Sequence, residues 1–139
     1  MIDLENQTDL EIDISSLETI ANSLTSKDIE LIFVRNNEIQ KLNKEHRNIN
    51  KATDVLSFPL EFDMLNMPLG SIVISVDFVD EKAKEYNHSF KDELKLLFIH
   101  GLLHILGFDH EVDVGEHREK EEELIKKYNL PNSLIIRNS

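Results

Sequence analysis

The chain has no cysteine and no tryptophan, and it has only four glycines and three prolines among 139 residues. The absence of cysteine excludes a disulfide framework and a cysteine-ligated zinc finger, so histidine and carboxylate must hold any transition metal. The chain also lacks internal repeats and any linker rich in glycine or proline. We therefore expect one domain over residues 1–139, which is long enough to bury a single core.

Long apolar runs and a surplus of positive charge are lacking as well. The longest apolar stretch, residues 94–108, is too short to span a membrane and contains Lys95 and two histidines. The first residues are acidic and show neither the basic start nor the apolar run of a signal peptide. We therefore expect a soluble, cytoplasmic protein with no membrane partner. The formal net charge of −12 argues against broad non-specific binding to nucleic acid.

Charge is unevenly distributed along the chain. Lysine and arginine outnumber acidic residues between residues 35 and 51, whereas residues 109–123 are mainly acidic. Runs of one charge are usually solvated helix faces, and this is our interpretation of the acidic segment. The basic segment remains a candidate phosphate-facing patch.

The hydrophobic pattern predicts the element order β-α-β-α-β-β-α-α-α. The predicted strands cover residues 2–6, 28–35, 54–58 and 70–76, and the predicted helices cover residues 15–24, 36–46, 78–86, 89–106 and 115–128. Ser15 and Glu18 have the spacing of a capping box, Asn36 or Asn37 caps the second helix, and Asp77 is a candidate N-cap. These elements predict an α+β fold: a small, mostly four-stranded sheet with about five helices packed around one central apolar helix that carries the metal ligands.

Three histidines, His100, His104 and His110, form the motif H-x3-H-x2-G-x2-H within the apolar helix and just beyond it. Histidines four residues apart project from one helix face, and Gly107 can end the helix so that His110 folds back toward them. Burying imidazoles in an aliphatic helix without partners would cost about 1–3 kcal/mol for each unsatisfied group, and a metal removes this cost. Three protein ligands leave a fourth position for water or substrate, as in catalytic zinc sites.

The spacing matches the metzincin zinc-protease pattern at every position except one. The general base of those proteases follows the first histidine, where this chain has Gly101, which cannot accept a proton. We expect Gly101 to mark a close approach of the helix to another element. Asp109 is the nearest alternative base, or it holds a ligand imidazole. His117 could be a fourth ligand, but its charged neighbours favour a solvated side chain.

A second motif, TDVLSFP, occupies residues 53–59 and follows Arg47. Taken alone, it is an ordinary start of a strand, in which Thr and Asp satisfy local backbone donors. TDVLSFP, the following GxIxIS strand and HGxLHxxGxDH together resemble the bacterial YbeY family of metal-dependent endoribonucleases. The resemblance runs from about Asn43 to His110.

The resemblance implies a single-strand-specific, zinc-dependent endoribonuclease that acts in 16S rRNA 3′-end maturation and in ribosome quality control. It implies one Zn²⁺ ion at His100, His104 and His110, with Arg47 as the family's functional arginine. We accordingly assign catalytic roles to Arg47 and His100. The implied partners are single-stranded RNA, 16S rRNA and the ribosome or its proteins, and no DNA partner is expected.

The chain departs from the family pattern at three positions beside this site. Asn48 stands where the family usually has glycine, Ser71 replaces an aspartate, and His117 falls where the family often has methionine. These departures leave the three histidines intact and put only the geometry of the nearby loops in doubt.

Two other functions fit part of the pattern. A metzincin-like zinc peptidase is favoured by the histidine spacing and the acidic surface but opposed by Gly101, and casein and single-stranded RNA as substrates would separate it from a nuclease. A non-catalytic, ribosome-associated factor would have a structural zinc, and a fourth protein ligand such as His117 or Asp113 would favour it.

Overall fold

The computed structural model describes residues 1–59, 68–108 and 114–131 of the chain. The strands in these ranges are β1 (Ile2–Asn6), β2 (Ile29–Val34), β3 (Val55–Pro59) and β4 (Gly70–Ser75). The helices are α1 (Ser15–Leu24), α2 (Asn36–Arg47), α3 (Val76–Glu85), α4 (Phe90–Ile105) and α5 (Glu116–Lys127). The predicted element order and the α+β class are confirmed. None of the helices in the described ranges has the length and apolar character needed to cross a membrane.

The strands form one mixed sheet in the order β1-β2-β4-β3. Strand β2 pairs in parallel with β1 and with β4, and β3 is antiparallel to β4. In the last pair of that ladder, Pro59 lies opposite Gly70, where an added Cβ would come within 2.7 Å of the Phe58 carbonyl oxygen. Glycine therefore allows β4 to begin directly against the end of β3, which is the edge strand.

The two faces of the sheet are covered unequally. Leu31 and Phe33 of β2, together with alternate residues of β4, face a large apolar cluster that includes residues of α1, α3, α4 and α5. The residues between them, such as Val73 of β4, face a smaller cluster to which Ile39 of α2 belongs. Because side chains alternate across a strand, α2 packs on the face opposite α4.

Helix α4 packs against β3, β4, α1, α3 and α5. Ten of its sixteen residues are buried. The Ser89 hydroxyl accepts a hydrogen bond from the Asp92 N–H at 3.1 Å and so caps the helix. Gly107 has a φ of 104°, so the chain turns where the sequence predicts the helix to stop. That this helix carries the metal ligands stays a prediction.

The predicted capping box of α1 is wrong. Ser15 is already the first helical residue, and its N–H donates to the Asp13 carboxylate at 2.9 Å. The hydrogen bond lowers the pKa of Asp13 from its usual value. The Asp13 carboxylate, and not the Ser15 hydroxyl, therefore accepts a hydrogen bond from the start of α1.

The predicted N-caps of α2 and α3 are also wrong. Helix α3 begins at Val76, and the Ser75 hydroxyl accepts from the Phe78 N–H at 3.5 Å. Asp77 instead accepts from the Asn36 N–H at 2.9 Å and from the Arg35 guanidinium at 2.9 Å. The backbone bond from Asn36, assisted by Arg35, lowers the pKa of Asp77. One carboxylate thus joins the starts of α2 and α3.

Candidate metal centre

Helix α4 places His100 and His104 side by side. They are four residues apart, so they lie one turn from each other on the same helix face, and their ring centroids are 5.1 Å apart. Both residues are partly buried. His110 and Asp109 lie outside the described residues, so the third ligand and the nearby carboxylate stay predictions.

Helix α5 adds His117 and Glu121 to the same place. Both side chains are fully buried, at 0% exposure. The His117 ring centroid lies 4.9 Å from that of His100 and 4.9 Å from that of His104. The prediction of a solvated His117 is therefore wrong.

The spacing of the buried residues on α5 explains their burial, although most of the helix is charged. His117, Glu121 and Leu124 are spaced four and three residues apart, so they share one helix face, and all three are buried. Apart from Ile125, the rest of α5 is charged, and these charged residues favour the interpretation of a solvated helix. The periodicity of the minority residues could have revealed the buried face.

Glu121 lies between two imidazoles. Its Oε2 atom is 3.1 Å from His100 Nδ1 and 3.6 Å from His117 Nε2. One candidate ligand atom from each of these three residues lies within 4.8 Å of the other two, so this group could hold a metal ion. Of these three residues, only Glu121 is not a candidate ligand in the sequence, because the charged residues of α5 indicate a solvated face.

The donor set fits a borderline metal such as zinc. Imidazole nitrogen and carboxylate oxygen are both common zinc ligands, and this chain has no cysteine to compete with them. In a tetrahedral site with Zn–N distances of about 2.0–2.1 Å, imidazole ring centres lie about 5 Å apart. The separation of 5.1 Å between the rings of His100 and His104 matches that arrangement.

Gly101, next to His100, lies against the sheet. A Cβ at this position would be 3.0 Å from Ser57 Oγ, 3.1 Å from Ile72 Cγ2 and 3.2 Å from Val55 Cγ2. The Ser57 hydroxyl also donates to the Gly101 carbonyl at 3.2 Å. The predicted close approach is confirmed. A glutamate here would point into the sheet, so the general-base position of the zinc proteases cannot be restored without moving α4.

Arg47 belongs to a different helix from the histidines. It is the last residue of α2 and is exposed, on a helix that packs against the opposite face of the sheet. Its catalytic role stays a prediction. The following residue, Asn48, has a left-handed backbone with φ 57° and ψ 32°, and its N–H bonds to the Asn43 and Lys44 carbonyls. Such a conformation suits glycine or asparagine, so the departure at Asn48 is compatible with the same loop geometry.

Strand β3 connects the end of α2 to the histidine helix. The ring of His46, in the last turn of α2, lies 5.0 Å from the ring of Phe58 in β3. Ser57, the preceding residue of β3, faces the other way and bonds to Gly101 of α4. The two candidate functional regions therefore lie on either side of the same edge strand.

The fold and these side chains define an α+β protein with a candidate metal centre between α4 and α5. A family model described as Endoribonuclease YbeY matches residues 3–129, so the chain belongs to the YbeY family. The resemblance seen in the sequence motifs is thereby confirmed.

Two relatives with the same name as the family match nearly the whole of this chain. An Endoribonuclease YbeY of Aliarcobacter butzleri is 71% identical over 140 residues and covers 100% of both chains. The protein of the same name from Nautilia profundicola is 62% identical over 138 residues and covers 99% of both. The solution structure of TM1509 from Thermotoga maritima matches with a TM-score of 0.64 and 28% identity, over 93% of this chain and 92% of that one.

Proposed function

We propose that this chain is a zinc-dependent endoribonuclease that cleaves single-stranded RNA, formed by one domain over residues 1–139. Its cellular role would be 16S rRNA 3′-end maturation and ribosome quality control in the cytoplasm, together with the ribosome or its proteins. The observation that carries the proposal is the pair His100 and His104 beside a buried carboxylate, in a chain whose relatives are named endoribonucleases. Such enzymes hydrolyse the phosphodiester bonds of RNA.

The metal ligands in this proposal are His100, His104 and His110, around one Zn²⁺ ion. The three imidazoles would hold the ion, and the bound ion would supply Lewis acidity that activates water near neutral pH. His100 and His104 hold the ion from a helix whose other residues are largely buried and apolar. His100 would be catalytic in this sense, as a ligand at the reacting atoms.

Arg47 would act on the phosphate. Its planar guanidinium offers two parallel N–H donors to phosphate oxygens and stabilises the negative charge that develops there. Lys44 and Lys51 are exposed near it, so positive charge is concentrated at this end of α2 in an otherwise acidic chain. A flexible single strand can pass around the β3 edge and contact both faces of the sheet, which a rigid duplex does less easily. This argument supports single-stranded RNA as the substrate.

One alternative keeps an observation in its favour. A structural zinc needs four protein ligands, and His117 is buried beside His100 and His104. That arrangement favours a non-catalytic, ribosome-associated factor with a closed metal site. A zinc peptidase has no comparable support, because Gly101 faces the sheet where the peptidase base would be.

Elemental analysis of the purified protein, combined with cleavage of labelled single-stranded RNA, tests the proposal. We expect about one zinc per chain, cleavage of RNA that a chelator abolishes and zinc restores, and no cleavage of casein. Bound zinc without RNA cleavage would favour the structural alternative. Cleavage that survives complete removal of metal would contradict the proposed chemistry.

The substitution Arg47→Glu tests the phosphate contact. We expect cleavage to fall by about 10²–10³-fold, as when a donor that stabilises transition-state charge is lost, while zinc stays bound. Lys41→Glu is the matched control, because it makes the same change of charge on α2 at an exposed lysine paired with Glu38. Unchanged cleavage in Arg47→Glu would remove Arg47 from the mechanism, and an equal loss in both variants would indicate a general effect of charge.

A further inference from the structure

Glu121 is a buried carboxylate on a helix that otherwise projects charged side chains into solvent. Its exposure is 0%, and its Oε2 atom faces His100 Nδ1 at 3.1 Å and His117 Nε2 at 3.6 Å. A carboxylate is costly to bury unless hydrogen-bond donors compensate for lost water. Imidazole N–H groups are donors of this kind, and two imidazoles face the same oxygen.

The contact with His100 selects one form of that imidazole. An ionised carboxylate only accepts hydrogen bonds, so the nitrogen facing it must carry the proton. In a neutral imidazole the other nitrogen, Nε2, then has the free lone pair that a metal requires. Glu121 therefore decides which atom of His100 is available as a ligand.

We propose that Glu121 is a positioning residue of the metal centre. It accepts a hydrogen bond from the Nδ1–H of His100 and fixes both the tautomer and the orientation of that ring, while His117 Nε2 lies 3.6 Å from the same oxygen. Metal-binding histidines commonly donate their second nitrogen to a carboxylate in this way, which also makes the ligand more basic. The inference rests on the proposed metal site at His100 and His104.

A competing arrangement uses the same atoms as ligands. One nitrogen of His100, one nitrogen of His117 and a Glu121 oxygen lie within 4.8 Å of one another, close enough to hold an ion themselves. The positioning role is favoured because Glu121 Oε2 lies at a hydrogen-bond distance of 3.1 Å from His100 Nδ1. Two ligand atoms bonded to one tetrahedral ion at about 2.0–2.1 Å would be farther apart, at about 3.3 Å. The two arrangements differ in what removal of Glu121 or His117 does to metal affinity.

Chelator competition for zinc separates the arrangements. We expect Glu121→Leu to bind zinc about 10–100-fold more weakly than the unmodified protein, the loss typical of a residue that orients a ligand. Glu121→Gln should lose only a few-fold in zinc affinity, because its amide oxygen can accept the same hydrogen bond from His100. Glu122→Gln is the matched control on the next position of α5, where the side chain is partly exposed and pairs with Arg118, and it should bind zinc normally.

Nitrogen NMR of His100 gives a readout that is independent of activity. In the unmodified protein we expect the tautomer protonated at Nδ1, and in Glu121→Leu a mixture of the two tautomers. A single, unchanged tautomer in Glu121→Leu together with normal affinity would overturn the proposal. If Glu121→Leu fails to fold, Glu121→Ala carries the test, because it also lacks the acceptor, and an unchanged tautomer with normal zinc affinity there would equally overturn the proposal.

His117→Met introduces the residue that the family often has at this position and completes the comparison. We expect its zinc affinity to stay within a few-fold of the unmodified protein, since His117 is not a ligand in this proposal. Zinc binding abolished in both His117→Met and Glu121→Leu would make these residues ligands and overturn it. Failure of the unmodified protein to bind zinc would instead remove the metal centre and with it the proposed function.

Discussion

Helices α4 and α5 contribute to the same buried cluster from opposite backgrounds. On α4, two histidines stand out from a largely apolar helix, whereas on α5 a histidine and a glutamate lie hidden among charged residues that face solvent. Both pairs are spaced four residues apart, and both project toward the same point. A buried polar residue can be recognised in the sequence when its helix is otherwise apolar, as on α4. It is easily overlooked when its helix is otherwise charged, as on α5, although packing buries it just as fully.

The largest effect on zinc binding and RNA cleavage should come from removing a histidine of α4. We expect His104→Ala to weaken zinc binding by more than about 100-fold, beyond the loss for a residue that merely orients a ligand, and to reduce RNA cleavage to background. Zinc content and cleavage rate measure this directly.

His46→Ala is the control for His104→Ala, because His46 is an exposed histidine on α2. It should leave zinc binding unchanged. The comparison between the two helices would be reversed if His104→Ala retained zinc while His117→Met lost it, since α5 would then supply the ligands.

Much of the fold could be predicted from the sequence, because periodicity and turn residues are local signals. The Ile2–Asn6 strand and the Ser15–Leu24 helix have the predicted bounds. The carboxylate that caps α2 could not be predicted, because Asp77 reaches back 41 residues to the first N–H of that helix. The histidine pair on α4 could be predicted because its four-residue spacing is a local signal. The burial of Glu121 could not, because it depends on how α5 packs.

An intermediate effect should come from Gly101→Ala, which tests how closely α4 lies on the sheet. Alanine favours a helix over glycine by about 1 kcal/mol, but an added Cβ would be 3.0 Å from Ser57 Oγ and 3.1 Å from Ile72 Cγ2. Overpacking of this kind costs about 1–3 kcal/mol. We expect a net loss of about 1 kcal/mol in the free energy of unfolding, measured with urea. A stabilised variant would show that the sheet yields easily at this point.

The smallest effect should come from Asp77, a partly exposed carboxylate that contrasts with the buried Glu121. Its folded pKa lies below the unfolded value of about 3.9, because the Asn36 N–H and Arg35 stabilise the charged form. Its contribution is therefore complete above that unfolded pKa and is lost as pH falls through the folded pKa. We expect Asp77→Asn to lose about 0.5 kcal/mol at pH 7 and less at pH 3.

Urea unfolding of Asp77→Asn and of the unmodified protein at both pH values checks this difference. Equal losses at pH 7 and pH 3 would mean that the carboxylate contributes through its shape and hydrogen bond alone, without its charge.

The left-handed backbone at Asn48 has a consequence for how this chain is compared with its relatives. Glycine and asparagine both tolerate this positive φ, so either residue can stand here while the turn after α2 stays the same. A β-branched residue such as valine would have to strain the backbone there and would be selected against. An apparent mismatch in an alignment can therefore mark a position under strict conformational constraint.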